Sequence, residues 1–300
     1  DEAAVPKNPI RPGTFLYALI AGAVGLALGL VFGVLYDYLD TSLKTQANVE
    51  AALGVSLLGW ITLDSADQDH DIHILKAPSS PISEAFRSLR INLEYSDKEK
   101  PLRTLLVAGI DEDEEKTKVA VNLAAAFASA GRQVALLDAD LRQPNLNRFL
   151  GLEAKSGLSD VLKDGLDLES ASITDEKNQS VAYLLAGHSA VAPLELLESE
   201  RMSRLLKNLQ RKAEIVIVIA PPMFVADMLV LAPQTDGVLL VLQPGRTRAD
   251  AARAALEQIT RTNARVVGVA FIHNQGKQLV NRVFQKLKIK KTASKPGPAA

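Results

Sequence analysis

Leu105-Leu106-Val107-Ala108, followed by Asp111-Glu112-Asp113-Glu114-Glu115-Lys116-Thr117 and then Val119-Ala120-Val121 and Leu123-Ala124-Ala125-Ala126-Phe127, is the stretch that decides the fold. A short apolar run, a polar loop and a longer apolar run read as strand, loop and helix. That is the context a GxxxxGK(S/T) pattern requires. Lys116-Thr117 supplies the end of the pattern, but Ile110 and Glu115 stand at its two glycine positions, and five carboxylates run in a row. A phosphate loop works because glycine backbone turns tightly and aims N–H groups at phosphate oxygens. A helix N-terminus behind it adds positive potential. Carboxylates there oppose a nucleoside triphosphate unless they are neutralised. The placement points to a nucleotide site, and the chemistry argues against its occupation. Taken alone, the same residues are also a solvated acidic turn at a helix start.

The second signal is Val134-Ala135-Leu136-Leu137-Asp138-Ala139-Asp140-Leu141-Arg142-Gln143-Pro144. An apolar strand ends in two acids and an arginine. In an open α/β sheet, ligands sit beyond the carboxyl ends of the strands. Acids there hold Mg²⁺ through water or activate a hydroxyl, and Arg142 meets phosphate. A buried ion cluster closing the strand end is the alternative reading.

Outward from these two elements, apolar runs alternate with helical patterns. Strands are expected at 55–62, 105–108, 134–137, 182–185, 215–219, 237–242 and 266–272. Helices are expected up to Leu53, where Gly54 ends the first, and at 80–95, 118–130, 158–163, 193–212, 226–232 and 248–262. The fold class that follows is α/β: a mostly parallel sheet with helices on both faces, P-loop NTPase-like, preceded by one transmembrane helix.

Residues 14–36 carry no charge, about 23 residues and enough to span a bilayer with some tilt. Gly25, Gly29 and Gly33 share one face, which permits close helix packing. Tyr17 and Tyr36 stand where interfacial anchors would. Tyr36-Asp37-Tyr38 is not a small-residue cleavage site, so a signal peptide is a poor reading. Lys7 and Arg11 before the span, and Asp37, Asp40 and Lys44 after it, do not fix orientation. The chain starts without methionine on a proline-containing stretch, and is expected to be the C-terminal part of something longer.

Composition excludes several classes. The 300 residues carry a net charge of −1, so there is no global nucleic-acid footprint. Without cysteine there is neither a disulfide framework nor a thiolate metal site. The four histidines, His70, His73, His188 and His273, are scattered, and no metal is expected. From 278 onward Val280, Val283, Phe284 and Leu287 have helical spacing among Arg282, Lys286, Lys288, Lys290, Lys291 and Lys295. This tail is either a docked last helix with a disordered end or an anionic-lipid contact.

Leu136-Leu137-Asp138-Ala139-Asp140-Leu141-Arg142-Gln143-Pro144 resembles the second Walker motif of the bacterial tyrosine kinases (BY-kinases), cytoplasmic domains of polysaccharide co-polymerases. Pro9-Ile10-Arg11-Pro12, the apolar span and Leu39-Asp40-Thr41-Ser42-Leu43-Lys44 are similar to that family's last transmembrane helix and its exit. Val55-Ser56-Leu57-Leu58-Gly59-Trp60-Ile61 resembles its juxtamembrane strand. Glu84, Arg87 and Arg90 match its ExxRxxR helix, and lie on one helical stripe. Gly157-Leu158-Ser159-Asp160-Val161-Leu162 and Pro193-Leu194-Glu195-Leu196-Leu197-Glu198-Ser199 fit as well.

The resemblance implies a division into an extracytoplasmic stub at 1–13, a transmembrane helix at 14–38, a juxtamembrane linker at 39–79, a kinase-like domain at 80–277 and a basic tail at 278–300. It implies a soluble domain on the cytoplasmic side of the plasma (inner) membrane. It also implies self-association into a ring through Glu84, Arg87 and Arg90, and work with the export machinery that sets exopolysaccharide or capsule chain length. The departures imply loss of catalysis. The family's first Walker loop reads roughly PGEGK(S/T), and here it is Glu112-Asp113-Glu114-Glu115-Lys116-Thr117. Its third Walker strand ends in Asp-Thr-Pro-Pro, and here it reads Ile219-Ala220-Pro221-Pro222. Its C-terminal tyrosine cluster is missing: the five tyrosines are Tyr17, Tyr36, Tyr38, Tyr95 and Tyr183.

The expectation is therefore a pseudokinase with no bound cofactor, with Lys116, Thr117 and Arg142 as its degenerate nucleotide-binding residues. It would act beside an active kinase partner. Two rivals remain. One is an active protein-tyrosine autokinase using ATP and Mg²⁺ with Asp138 and Asp140 catalytic. The other is a membrane-associated ATPase resembling cell-division positioning proteins. A last expectation concerns charge: one or more of Asp113, Glu114 and Glu115 should contact Lys116 or Arg142, replacing the nucleotide's phosphates.

Overall fold

The computed structural model describes residues 14–39, 42–63, 72–97, 100–110, 115–153, 156–175, 178–188, 190 and 192–274. The polar run 64–71, the loop acids Asp111, Glu112, Asp113 and Glu114, and the basic tail lie outside these residues. The chain divides into two compact units, Asp1–Thr41 and Ser42–Ala300.

The described part of the first unit is one helix, Thr14–Leu39, of 26 residues. At 1.5 Å per residue it is about 39 Å long. Its described apolar side chains, among them Phe15, Leu26, Leu30 and Phe32, are exposed. Counted over the described residues, no helix is long and apolar enough to cross a membrane. The transmembrane expectation for 14–38 therefore rests on the sequence.

Among the described residues the second unit is built on eight strands: β1 (Leu57–Leu63), β2 (Thr104–Gly109), β3 (Val134–Asp138), β4 (Ile173–Asp175), β5 (Asn178–Leu184), β6 (Ile215–Ile219), β7 (Gly237–Leu242) and β8 (Val266–Asn274). They form one sheet in the order β1-β8-β7-β2-β6-β3-β5-β4. Every pairing is parallel except β4 with β5. Residues 57–63, inside the stretch read as a linker, pair along β8.

Two apolar layers cover the sheet. Leu105, Val107, Ile215, Ile217 and Ile219 face one layer, while Leu106, Ala108, Val216, Val218 and Ala220 face the other. This is the strand alternation with both faces buried, so β2, β3 and β6 read as unbroken apolar runs. Helices Pro81–Glu94 and Glu115–Ser129 pack on the first face, and helices Gln46–Leu53, Glu200–Lys212 and Ala249–Arg261 contribute to the second. In Glu115–Ser129 every residue from Lys116 to Ala128 is buried. A helix enclosed on all sides carries its polar first turn inside with it.

Two expectations are corrected. Residues 193–212 form two helices, Pro193–Glu198 and Glu200–Lys212. Ser199 separates them in an extended conformation, and its hydroxyl accepts the Met202 N–H at 3.3 Å as an N-cap. The antiparallel edge strand β4 was not foreseen; its three residues carry too short a pattern to read.

Candidate functional site

Sheet order brings the two sequence signals together. β6 lies between β2 and β3, with Val107 opposite Ile219 on one side and Asp138 opposite Ile219 on the other. The carboxyl ends of these strands therefore meet at Gly109, Ile219 and Asp138. Helix Glu115–Ser129 begins beside them.

Lys116 is the second residue of that helix. Its Nζ lies 2.8 Å from Asp140 Oδ2, with side-chain exposures of 1% and 2%. The other Asp140 oxygen accepts the Gln143 N–H at 3.0 Å. Asp138 Oδ1 accepts the Asp140 N–H at 3.1 Å, and Oδ2 accepts those of Asn145 and Leu146 at 3.2 and 3.0 Å. Asp138 thus holds the turn that presents Asp140. Burial pushes its pKa up to about 6, against the lowering effect of the Leu146 and Asp140 N–H bonds; the charge of Asp140 raises it and that of Lys116 lowers it.

Arg142 donates from Nε and Nη2 to the two oxygens of Asp227, at 2.6 and 3.0 Å. This paired hydrogen bond raises the guanidinium pKa further. Asp227 is buried in the first turn of helix Ala226–Leu231. Sequence reading missed it. The available signal was an acid at a helix start directly beyond β6, where the helix dipole favours it.

The two cations expected to contact the acidic loop are therefore met by Asp140 and Asp227. Glu115 instead faces Lys118, Oε2 to Nζ 3.6 Å. Asp113 and Glu114 lie outside the described residues. Thr117 Oγ1 is buried and has no hydrogen-bond partner among the described residues. Ile219 is buried where the sequence comparison expected an acid. Ile110, Glu115, Lys116, Gln243 and Thr247 border a cavity of about 10 Å³, room for about one water.

At the end of β5, sequence reading also missed a clamp. Asp160 accepts the Gly157 N–H at 2.8 Å and lies 2.9 Å from His188 Nδ1. Burial pushes the Asp160 pKa up, but the His188 and Gly157 hydrogen bonds outweigh it and hold it below the ordinary value. A Cβ on Gly157 would sit 2.2 Å from the Leu185 carbonyl oxygen, so the backbone approach requires glycine.

Glu84, Arg87 and Arg90 all lie on helix Pro81–Glu94. Arg87 pairs with Glu84, and Arg90 reaches Glu94 at 2.5 Å.

Comparisons with known proteins agree with this architecture. Residues 115–297 match the family described as ParA: NUBPL iron-transfer P-loop NTPase. The chain is 28% identical over 283 residues to the putative tyrosine-protein kinase EpsB of Ralstonia solanacearum, covering 90% of this chain and 38% of EpsB. It thus spans well under half of that relative. It is 33% identical over 193 residues to the tyrosine-protein kinase YwqD of Bacillus subtilis, covering 64% of this chain and 81% of YwqD. It is 26% identical to the succinoglycan biosynthesis transport protein ExoP of Rhizobium meliloti, covering 90% of this chain and 38% of ExoP. Among solved structures, the chimerical protein CapA2B2 superposes with a TM-score of 0.71 at 27% identity, over 76% of this chain and 98% of that one. The chain belongs to the ParA-type P-loop NTPase family, as a BY-kinase-like domain whose relatives are tyrosine kinases and polysaccharide-export proteins.

Proposed function

We propose that this chain is a membrane-anchored pseudokinase domain of a polysaccharide co-polymerase. It assembles into a ring through Glu84, Arg87 and Arg90 and acts on exopolysaccharide or capsule chain length and export. The observation that carries the loss of catalysis is that both site cations are satisfied from within, Lys116 by Asp140 and Arg142 by Asp227. A magnesium triphosphate does not fit the residues so arranged. Lys116 is engaged, the Ile219 side chain has no oxygen for a metal's water shell, and Glu115 brings a carboxylate to the edge of the recess. The uncharged run 14–36 in the sequence supports the anchor, with the α/β unit on the cytoplasmic side of the plasma membrane.

Titration calorimetry with Mg-ATP tests the reading. No binding heat is expected up to millimolar nucleotide, and a micromolar Kd would overturn it. The rival reading, an active tyrosine autokinase, is favoured by one observation: Lys116, Thr117, Asp138 and Asp140 converge at the carboxyl ends of neighbouring strands, and the buried Thr117 hydroxyl has no hydrogen-bond partner among the described residues, as a ligand of Mg²⁺ would. Phosphotyrosine formed on the purified chain with Mg-ATP alone would decide for the rival.

A further inference from the structure

Helix Pro81–Glu94 buries Phe86, Leu89 and Leu93 in the core and leaves its opposite side outward. Glu84, Arg87 and Arg90 are spaced by three, and at 3.6 residues per turn that spacing drifts about 60° per step. Their side-chain exposures fall along the drift, 63, 29 and 16%. The line that stays outward runs instead from Glu84 through Ser88 and Ile91 to Tyr95, within about 60° of arc. Ile91 is 43% and Tyr95 66% exposed. The Tyr95 N–H still reaches the Ile91 carbonyl, at 3.0 Å, so the two side chains stand one turn apart on the same side. Tyr95 also borders a cavity of about 580 Å³ with an apolar floor of Leu93, Leu105, Phe127 and Ile215. The apolar surface thus continues past the helix end.

We propose that this outward line docks on a second copy of the chain, with Ile91 and Tyr95 as the apolar anchors and Arg87 setting the orientation. The proposal deepens the ring reading above and rests on it. Charge singles out the partner. Arg87 pairs with Glu84, and Arg90 with Glu94. At the cavity rim Arg132 holds Glu214 at 2.5 Å and lies 3.7 Å from Glu94. A face whose charges are matched from within has no pull on anionic lipid or nucleic acid. It is continuous with Glu84 and Arg87, the residues assigned to the ring. The same pairing limits what those charges add on association, since exposed ion pairs contribute little. Shedding water from an isoleucine and a tyrosine contributes more, and tyrosine is a residue type on which interfaces concentrate their energy. Arg90, turned inward, steadies the last turn through Glu94. A ring closes head to tail, so this face meets a different patch of the next copy.

Light scattering of the full chain in detergent, over a concentration series, tests the proposal. Ile91→Ser combined with Tyr95→Ser should raise the concentration of half-assembly at least about tenfold. The variant keeps the patch that receives this face, so excess variant added to the parent chain should cap its assemblies and lower their mass. A variant that assembles like the parent overturns the proposal and leaves the ring reading standing. A parent chain that is monomeric overturns both. A second measurement leaves the anchors intact. The chain has no cysteine, so Ser88→Cys places a single thiol in the middle of the face. Its reaction with a water-soluble maleimide should slow at least about tenfold from the dilute to the assembled chain. Equal rates overturn the proposal, whatever the fold of the serine variant.

Discussion

Lys116 Nζ and Asp140 Oδ2 lie 2.8 Å apart inside the protein, almost wholly shielded from water. A charge taken out of water is tolerated only with its partner in place. Lys116→Met or Asp140→Leu alone should each cost about 3–5 kcal/mol, because each strands the other charge. The double variant should recover most of that loss. Urea unfolding of the three proteins measures it. Additive losses would mean that the pair does not act as a unit.

Asp138 predicts a pH dependence. Its folded pKa of about 6 is above the ordinary 3.8, so folding takes up a proton between these values. The resulting stability is fully present below about pH 4 and is lost as pH rises through about 6. The size is at most about 3 kcal/mol. Asp138→Asn should flatten this part of the stability–pH curve relative to the parent chain. An unchanged slope between pH 4 and 6 would refute the assignment.

Arg142→Ala removes two donors from the buried Asp227 carboxylate. Because Arg142 itself is half-exposed, the expected loss is moderate, about 1–3 kcal/mol. Arg142→Lys should restore only part of it, since an ammonium cannot make the forked contact. Thermal unfolding of both variants checks the order.

Arg87→Ala combined with Arg90→Ala should lower the mass of the assembly seen by light scattering in detergent. Arg90→Ala alone also frees Glu94, so its effect on helix stability is separated by circular dichroism of the same sample. An unchanged mass with an intact helix would count against the ring.

Much of the sheet was legible because buried parallel strands have no polar side. The run Ile215-Val216-Ile217-Val218-Ile219 can be little else, and its observed bounds coincide with the reading. Helix Glu115–Ser129 was read from its apolar residues, but its first turn was not, since Lys116 looks like a solvent-facing residue until the helix is enclosed. The ion pairs stayed hidden for a different reason. Asp227 is 85 positions from Arg142, and only strand order places them side by side. Local pattern carries no such information. The break at Ser199 was hidden by continuous helical periodicity on both sides of it.

The edge strand β1 has its only described strand neighbour in β8, with Leu57 opposite Val269 and Leu63 opposite Asn274. Among the described residues the first strand thus waits for the last. During synthesis at about 5–20 residues per second, roughly 10–40 s separate the emergence of one from the other. Throughout that interval Leu57, Leu58, Trp60, Ile61 and Leu63 present an apolar strand with no partner, a template for wrong pairing. A nascent chain of this kind cannot complete its sheet domain by domain from the N-terminus, and any stop before Val266 leaves the sheet without its outer edge.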